Sequence, residues 1–283
     1  MIREALAAYV RRYPSQNQAA NSLKGTSPGT VSAILNGKYK NVSDDMLRSI
    51  ADQTGMGKPS RKDWETVETS AYREITYALS DAQSYMNVTW VVGDAGCGKT
   101  TTARIYASEH REVFYILCSE DMKRGDFVRE IARMLGLRTD GHTIRGTWQM
   151  ITDALVQMDS PLLIFDEADK LGETVFHYFI SLYNKLEDRC GIIFMSTDYI
   201  KKRIASGLRF CKPGYKEFYS RMGRKFYELC DTTPQDVYSV CTANGITDRR
   251  RIDEIVRDAE TCEFDLRRVK KAIHRARRME GQA

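Results

Sequence analysis

The sequence predicts an α/β core, a parallel sheet with helices on both faces, set between two all-α ends. Short apolar runs at "VTWVV" (88–92), "VFYILC" (113–118), "PLLIFD" (161–166) and "GIIFMST" (191–197) alternate with stretches of helical period such as "GDFVREIARMLG". Strands that alternate with helices in this way pair in parallel. The Gly-rich stretch "GDAGCGKT" stands directly after the first of these runs and directly before "TTARIYASEH", which reads as a helix. From Thr233 onward no strand-like run occurs, and "TPQDVYSVCTANG", "RRIDEIVRDAE" and "DLRRVKKAIHRARR" read as helices.

The chain has 283 residues, more than one average domain, and its 42% hydrophobic and 29% charged residues supply a real core and argue against dominant disorder. Three units are expected, at 1–58, 59–232 and 233–283. In the first, a short helix around Gln16 to Leu23 ends in a Lys-Gly turn, and Ser27 and Pro28 then supply an N-cap and a first-turn proline for a second helix that stops at "NGK". Val31, Ile34 and Leu35 form one apolar stripe, which leaves Ser27, Thr30, Ser32 and Lys38 outside it. "TGMGKPSRKD" (54–63), with two glycines, a proline and four charges, reads as a linker. Helical period across "WETVETSAYREITYALSDAQ" then leads into the strand at 88–92.

Seven cysteines (97, 118, 190, 211, 230, 241, 262) include no C-x-x-C pair, so they read as buried thiols rather than a zinc or disulfide framework. No apolar h-region opens the sequence and no segment approaches the roughly 18 apolar residues that span a bilayer, so a cytoplasmic protein with no membrane partner is expected. The net charge of +5 is concentrated: nine Lys/Arg stand against two Asp/Glu between Thr197 and Tyr227, and eleven against six between Arg249 and Arg278. Clusters of this kind fit a polyanionic partner, although solvated helix faces produce them too.

In "GDAGCGKT" the glycines let the backbone curl so that several N–H groups of Gly93, Asp94, Ala95, Gly96, Cys97, Gly98, Lys99, Thr100 and Thr101 point at phosphate oxygens. Lys99 reaches the β/γ-phosphates and Thr100 ligates magnesium, which makes ATP and Mg2+ the expected ligands. "LLIFDEAD" supplies the second half: Asp166 at a buried strand end holds the magnesium, usually through water, and Glu167 polarises the water that attacks the γ-phosphate.

The pairing of "GKT" with "DEAD", followed by "FMSTD", resembles the AAA+ ATPases. That resemblance implies a polar sensor on the strand lying between the two motif strands, matched by Thr197 with Ser196 as the alternative. It also implies an arginine that crosses to a neighbouring subunit's nucleotide, matched by Arg221 in "YSRMGRKF", with Arg224 or Arg203 of the same basic run next in line. A second arginine, from the helical lid, is matched in "FDLRRVKKAI" by Arg267, with Arg268 one register off.

The N-terminal stretch, including "TVSAILNG", resembles the Cro and lambda-repressor helix-turn-helix, in which the second helix enters the major groove. Its exposed Ser and Thr read base edges poorly, so sequence-independent binding of double-stranded DNA is expected. The whole order, helix-turn-helix, linker, ATPase core and short lid, resembles the phage Mu B transposition helpers. Those proteins polymerise on DNA with ATP and present it to a transposase. The resemblance implies a DNA-dependent ATPase, a hexameric ring or helical filament, and DNA-facing loops at "SEDMKRGD" (Lys123, Arg124) and "GLRTDGHTIRG" (Arg138, Thr139, Arg145). A helicase loader of the same fold, which would show aromatic platforms for single strands, and a nucleotide-switched transcriptional regulator, which would not need Glu167, are the competing readings.

Overall fold

The computed structural model describes residues 2–11, 13–39, 42–54 and 64–280, and contacts divide the chain into two units, Met1–Trp64 and Glu65–Ala283. Most of the predicted linker, residues 55–63, lies outside the described residues.

The first unit holds four helices: α1 (Ile2–Val10), α2 (Gln16–Ser22), α3 (Pro28–Leu35) and α4 (Asp44–Thr54). Ser15 and Ser27 cap α2 and α3 through their side chains, and Pro28 occupies the first turn of α3, where a missing N–H costs nothing. Leu6, Ala20, Val31, Ile34 and Ile50 form a core buried by all four helices, so α1 and α4 supply the surface against which the predicted helix pair packs.

The second unit is a five-stranded, wholly parallel sheet in the order β2-β3-β4-β1-β5. Its elements run α5 (Ser70–Tyr85), β1 (Val88–Val92), α6 (Lys99–Glu109), β2 (Val113–Leu117), α7 (Arg124–Met134), α8 (Ile144–Val156), β3 (Leu162–Asp166), α9 (Glu173–Leu186), β4 (Gly191–Ser196), α10 (Tyr199–Arg209), α11 (Tyr215–Arg221), β5 (Tyr227–Glu228), α12 (Pro234–Ala243), α13 (Arg249–Glu260) and α14 (Leu266–Glu280). Leu163 and Phe165 of β3 face a core with Phe127, Phe179, Phe194 and Phe218, while Leu162 and Ile164 face the opposite core with Ile75, Leu79 and Ala103. Burial on both faces is why these strands read as unbroken apolar runs.

Three expectations change. Helical period was expected from Trp64, but α5 starts at Ser70, because the Thr69 side chain caps it by accepting from the Tyr72 N–H. Thiols were expected to be buried throughout, whereas Cys211 and Cys230 are exposed and Cys262 is half-buried; all seven are free. The basic stretch from Thr197 ends at β5, a fifth strand beyond the four apolar runs, whose two residues are too few to show a period. Among the described residues no helix is long and apolar enough to cross a membrane.

Asp236 fastens the C-terminal helices to the sheet. Its carboxylate accepts from the N–H and hydroxyl of Thr233, closing a capping box on α12, and also from the Ser70 N–H at the start of α5. Burial acts to raise its pKa, but these hydrogen bonds outweigh that effect and hold the carboxyl below its ordinary value.

Candidate nucleotide-binding site

Parallel register brings three strand ends to one edge of the sheet, Val92 of β1 beside Ser196 of β4, and Met195 beside Asp166 of β3. Ligands of open α/β sheets bind outside such carboxyl ends. Between Val92 and Lys99 the chain turns through Gly96 and Gly98 at φ of 85° and 106°, torsions that residues with a Cβ rarely adopt. The turn leads directly into α6, so the helix N-terminus and the loop N–H groups present one anion-binding concavity. Lys99 folds back over the loop and donates from Nζ to the carbonyls of Gly93 (2.6 Å) and Asp94 (2.7 Å).

Thr100 donates from Oγ1 to Asp166 Oδ2 at 2.7 Å, and the Glu167 N–H donates to Oδ1 of the same carboxylate at 3.0 Å. Asp166 is 1% exposed. A threonine hydroxyl and a carboxylate are hard oxygen donors of the kind magnesium takes. Among the described residues no group of three or more His, Cys, Asp or Glu is placed to hold a metal ion. Glu167 has left-handed backbone (φ 55°) and its carboxylate pairs with Lys170.

Thr197 and Ser196 part company. Ser196 is buried, accepting from the Trp90 indole N–H (2.9 Å) and donating to its neighbour's carbonyl, whereas Thr197 donates to Asp169 Oδ2 at 3.3 Å, beside the Asp166-Glu167 pair. Burial raises the Asp169 carboxyl pKa. Arg203 donates to the Asp169 carbonyl at 2.7 Å.

The two lid arginines also separate. Arg268 forms a two-pronged pair with Asp258 of α13 (2.7 and 2.8 Å), while Arg267 is exposed and its own N–H caps onto Asp265. The same segment touches the phosphate loop: the Leu266 N–H donates to the Gly96 carbonyl at 3.2 Å, and a Cβ at Gly96 would stand 2.1 Å from Asp265 Oδ1. Arg221, the last residue of α11, packs against α9, with Nε and Nη2 donating to Asn184 Oδ1 and its guanidinium 5.6 Å from the Tyr183 ring centroid.

The predicted DNA-facing residues fall on two surfaces, one in each unit. In the second unit Lys123 and Arg124 open α7, Arg138 and Thr139 follow it, and Arg145 is in the first turn of α8. A Cβ at Gly125 would stand 3.4 Å from Ile144 Cδ1, so the starts of α7 and α8 are neighbours, and the Arg124 guanidinium lies 5.9 Å from the Tyr178 ring centroid. In the first unit Ser27 Oγ is engaged as the α3 cap with Thr30, Ser32 accepts from Asn36, and Lys38 is exposed.

A family model for an AAA domain matches residues 82–204, the span from the end of α5 through Asp166 and Thr197 to α10. The target DNA activator B of Escherichia phage Mu, described as ATP-dependent, is 23% identical over 81% of this chain and 73% of its own. The chain carries an AAA domain and is similar to this phage activator. The corresponding activator of Escherichia phage D108 has the same identity and coverage. Among solved structures, the Aeropyrum pernix ORC1 protein in complex with DNA aligns with a TM-score of 0.53 at 15% identity, covering 74% of this chain and 60% of that one. NtrX from Brucella abortus in complex with ATP aligns with a TM-score of 0.50 at 10% identity, covering 89% and 59%. The chain thus spans about three fifths of each of these solved chains, and at such identities they attest the fold alone.

The site also includes residues that sequence reasoning passed over: Tyr115, Asp169, Lys170 and Asp265. Tyr115 of β2 donates to Asp166 Oδ2 at 2.7 Å. Its only trace in the sequence is a polar-tipped residue on the apolar face of a strand, the kind that needs a partner when buried.

Proposed function

We propose that this protein is an ATP-hydrolysing AAA+ protein that binds double-stranded DNA with little sequence preference, assembles on it, and delivers it as target to a transposase. The observation that carries the reading is the Thr100–Asp166 hydrogen bond beside Glu167 in a chain similar, over most of its length, to activators whose names specify ATP and target DNA. Bound magnesium would neutralise charge on the β- and γ-phosphates.

The residues of the chain do the rest. Lys99 exchanges the Gly93 and Asp94 carbonyls for phosphate oxygens, and the loop N–H groups fix the phosphates in line. Glu167 turns from Lys170 towards the attacking water and takes its proton, while Thr197 holds the far side of that water from its place beside Asp169. Arg221, released from Asn184, supplies positive charge to a neighbouring subunit's γ-phosphate, which makes hydrolysis contingent on assembly. Arg267, whose side chain faces solvent at the start of α14, serves the phosphates from the lid. Lys123, Arg124, Arg138, Thr139 and Arg145 carry DNA contact in the core, and Ser27, Thr30, Ser32 and Lys38 in the helix-turn-helix.

Electron microscopy of the protein with duplex DNA and a slowly hydrolysed ATP analogue tests the reading. Ordered rings or filaments that need both ligands support it. Monomeric protein under all conditions overturns it.

A further inference from the structure

The Asp166 carboxylate receives one donor more than the phosphate-loop motif accounts for. Tyr115 stands on β2 opposite Ile164 of β3, two positions short of the Leu117–Asp166 pairing. Residues two apart on a strand share a face, so Tyr115 and Asp166 both point to the side of the sheet covered by α5 and α6, where Val113 and Ile164 are buried. A tyrosine is long enough to reach diagonally across one strand spacing, and its hydroxyl arrives at Oδ2 with a separation of 2.7 Å. That oxygen then accepts two hydroxyl protons, from Tyr115 and from Thr100, while Oδ1 accepts the Glu167 N–H. Arg104 of α6 lies over the Tyr115 ring, 5.1 Å from its centroid, and holds it from the helix side.

We propose that Tyr115 is a positioning residue for the metal-bearing carboxylate: its hydroxyl fixes the rotamer of Asp166 so that the carboxylate is preset to receive magnesium. The inference rests on the nucleotide-site reading given above. Without Tyr115 the carboxylate would be held by the Glu167 N–H on Oδ1 and by Thr100 alone on Oδ2, and Thr100 is itself a metal ligand in that reading. Tyr115 contacts Asp166 from a different strand and is independent of the phosphate loop, so the carboxylate keeps its direction while the loop adjusts to phosphates. Hydrogen-bond partners of ligating carboxylates are worth about 10- to 100-fold in metal affinity.

The test is Tyr115→Phe in the full chain, which removes Oη and keeps the ring and its contact with Arg104. Affinity for a fluorescent ATP analogue is measured across a magnesium titration and, separately, in excess EDTA; the thermal midpoint is recorded alongside. The proposal expects the half-saturating magnesium concentration to rise about tenfold, with affinity in EDTA unchanged. A purely structural tyrosine would lower the thermal midpoint and leave the magnesium midpoint in place, and that result overturns the proposal. Wild-type protein whose nucleotide affinity ignores magnesium overturns both the proposal and the site reading beneath it. Magnesium-dependent wild type with an unchanged variant overturns the role of Tyr115 alone.

Discussion

The Thr100 hydroxyl and the Asp166 carboxylate meet at 2.7 Å, which joins the first turn of α6 to the end of β3 although 65 residues separate them in the chain. The contact is made from one hydroxyl and one nearly inaccessible carboxylate.

Lys99→Ala removes the only side-chain cation within the phosphate loop. Nucleotide binding should fall below detection by equilibrium titration, and ATP-dependent assembly on DNA should disappear with it. Persistent ATP-dependent oligomers would contradict the assignment of the loop.

Glu167→Gln keeps the shape of the side chain and removes its basicity. Nucleotide affinity should be retained, turnover should slow by about 100-fold or more, and DNA complexes should live longer. Steady-state phosphate release is the measurement; unchanged turnover would make the Glu167–Lys170 pair structural.

Gly96→Ala places a methyl group in a left-handed turn and 2.1 Å from Asp265 Oδ1. The lid contact made by Leu266 should loosen, with stability lowered by about 1–3 kcal/mol and nucleotide affinity weakened. Adding Asp265→Gly removes the steric part but not the torsional one, so denaturant unfolding should show partial recovery in the double variant. Simple additivity would mean the two residues do not interact.

Asp236→Ala breaks the tie between α12 and α5, and should cost about 2 kcal/mol. The folded-state pKa lies below the ordinary carboxyl value. The stabilisation is therefore complete above the unfolded pKa of about 3.9 and is lost as pH falls through the folded value. Thermal unfolding from pH 7 downward should find the gap between wild type and variant closing only below about pH 4; a gap independent of pH would assign the loss to packing.

Arg221→Ala separates an assembly-gated ATPase from a self-contained one. Nucleotide binding should persist while hydrolysis in the assembled state drops by about 1000-fold. Mixing this variant with Lys99→Ala restores interfaces with one intact pocket and one intact Arg221, so some activity should return. A co-assembled but inactive mixture would shift the role to Arg224 or Arg203.

What the sequence determined by itself is whatever consecutive residues encode. Unbroken apolar runs specified β1 to β4, and helical period specified stretches between them. Ser27 with Pro28 specified the start of α3, and Gly93, Gly98, Lys99 and Thr100 specified a loop entering a helix, because a cap, a turn or a strand depends on neighbours a few residues away. Tertiary structure decided the partnerships. Arg268 turns to Asp258 and leaves Arg267 exposed, Ser196 is drawn under Trp90 and leaves Thr197 beside Asp169, and Tyr115 reaches Asp166 across the register of two strands. These choices depend on which elements pack side by side, and a hydrogen bond good only within about 3 Å can be assigned only once strand register and helix contacts have fixed where each side chain stands.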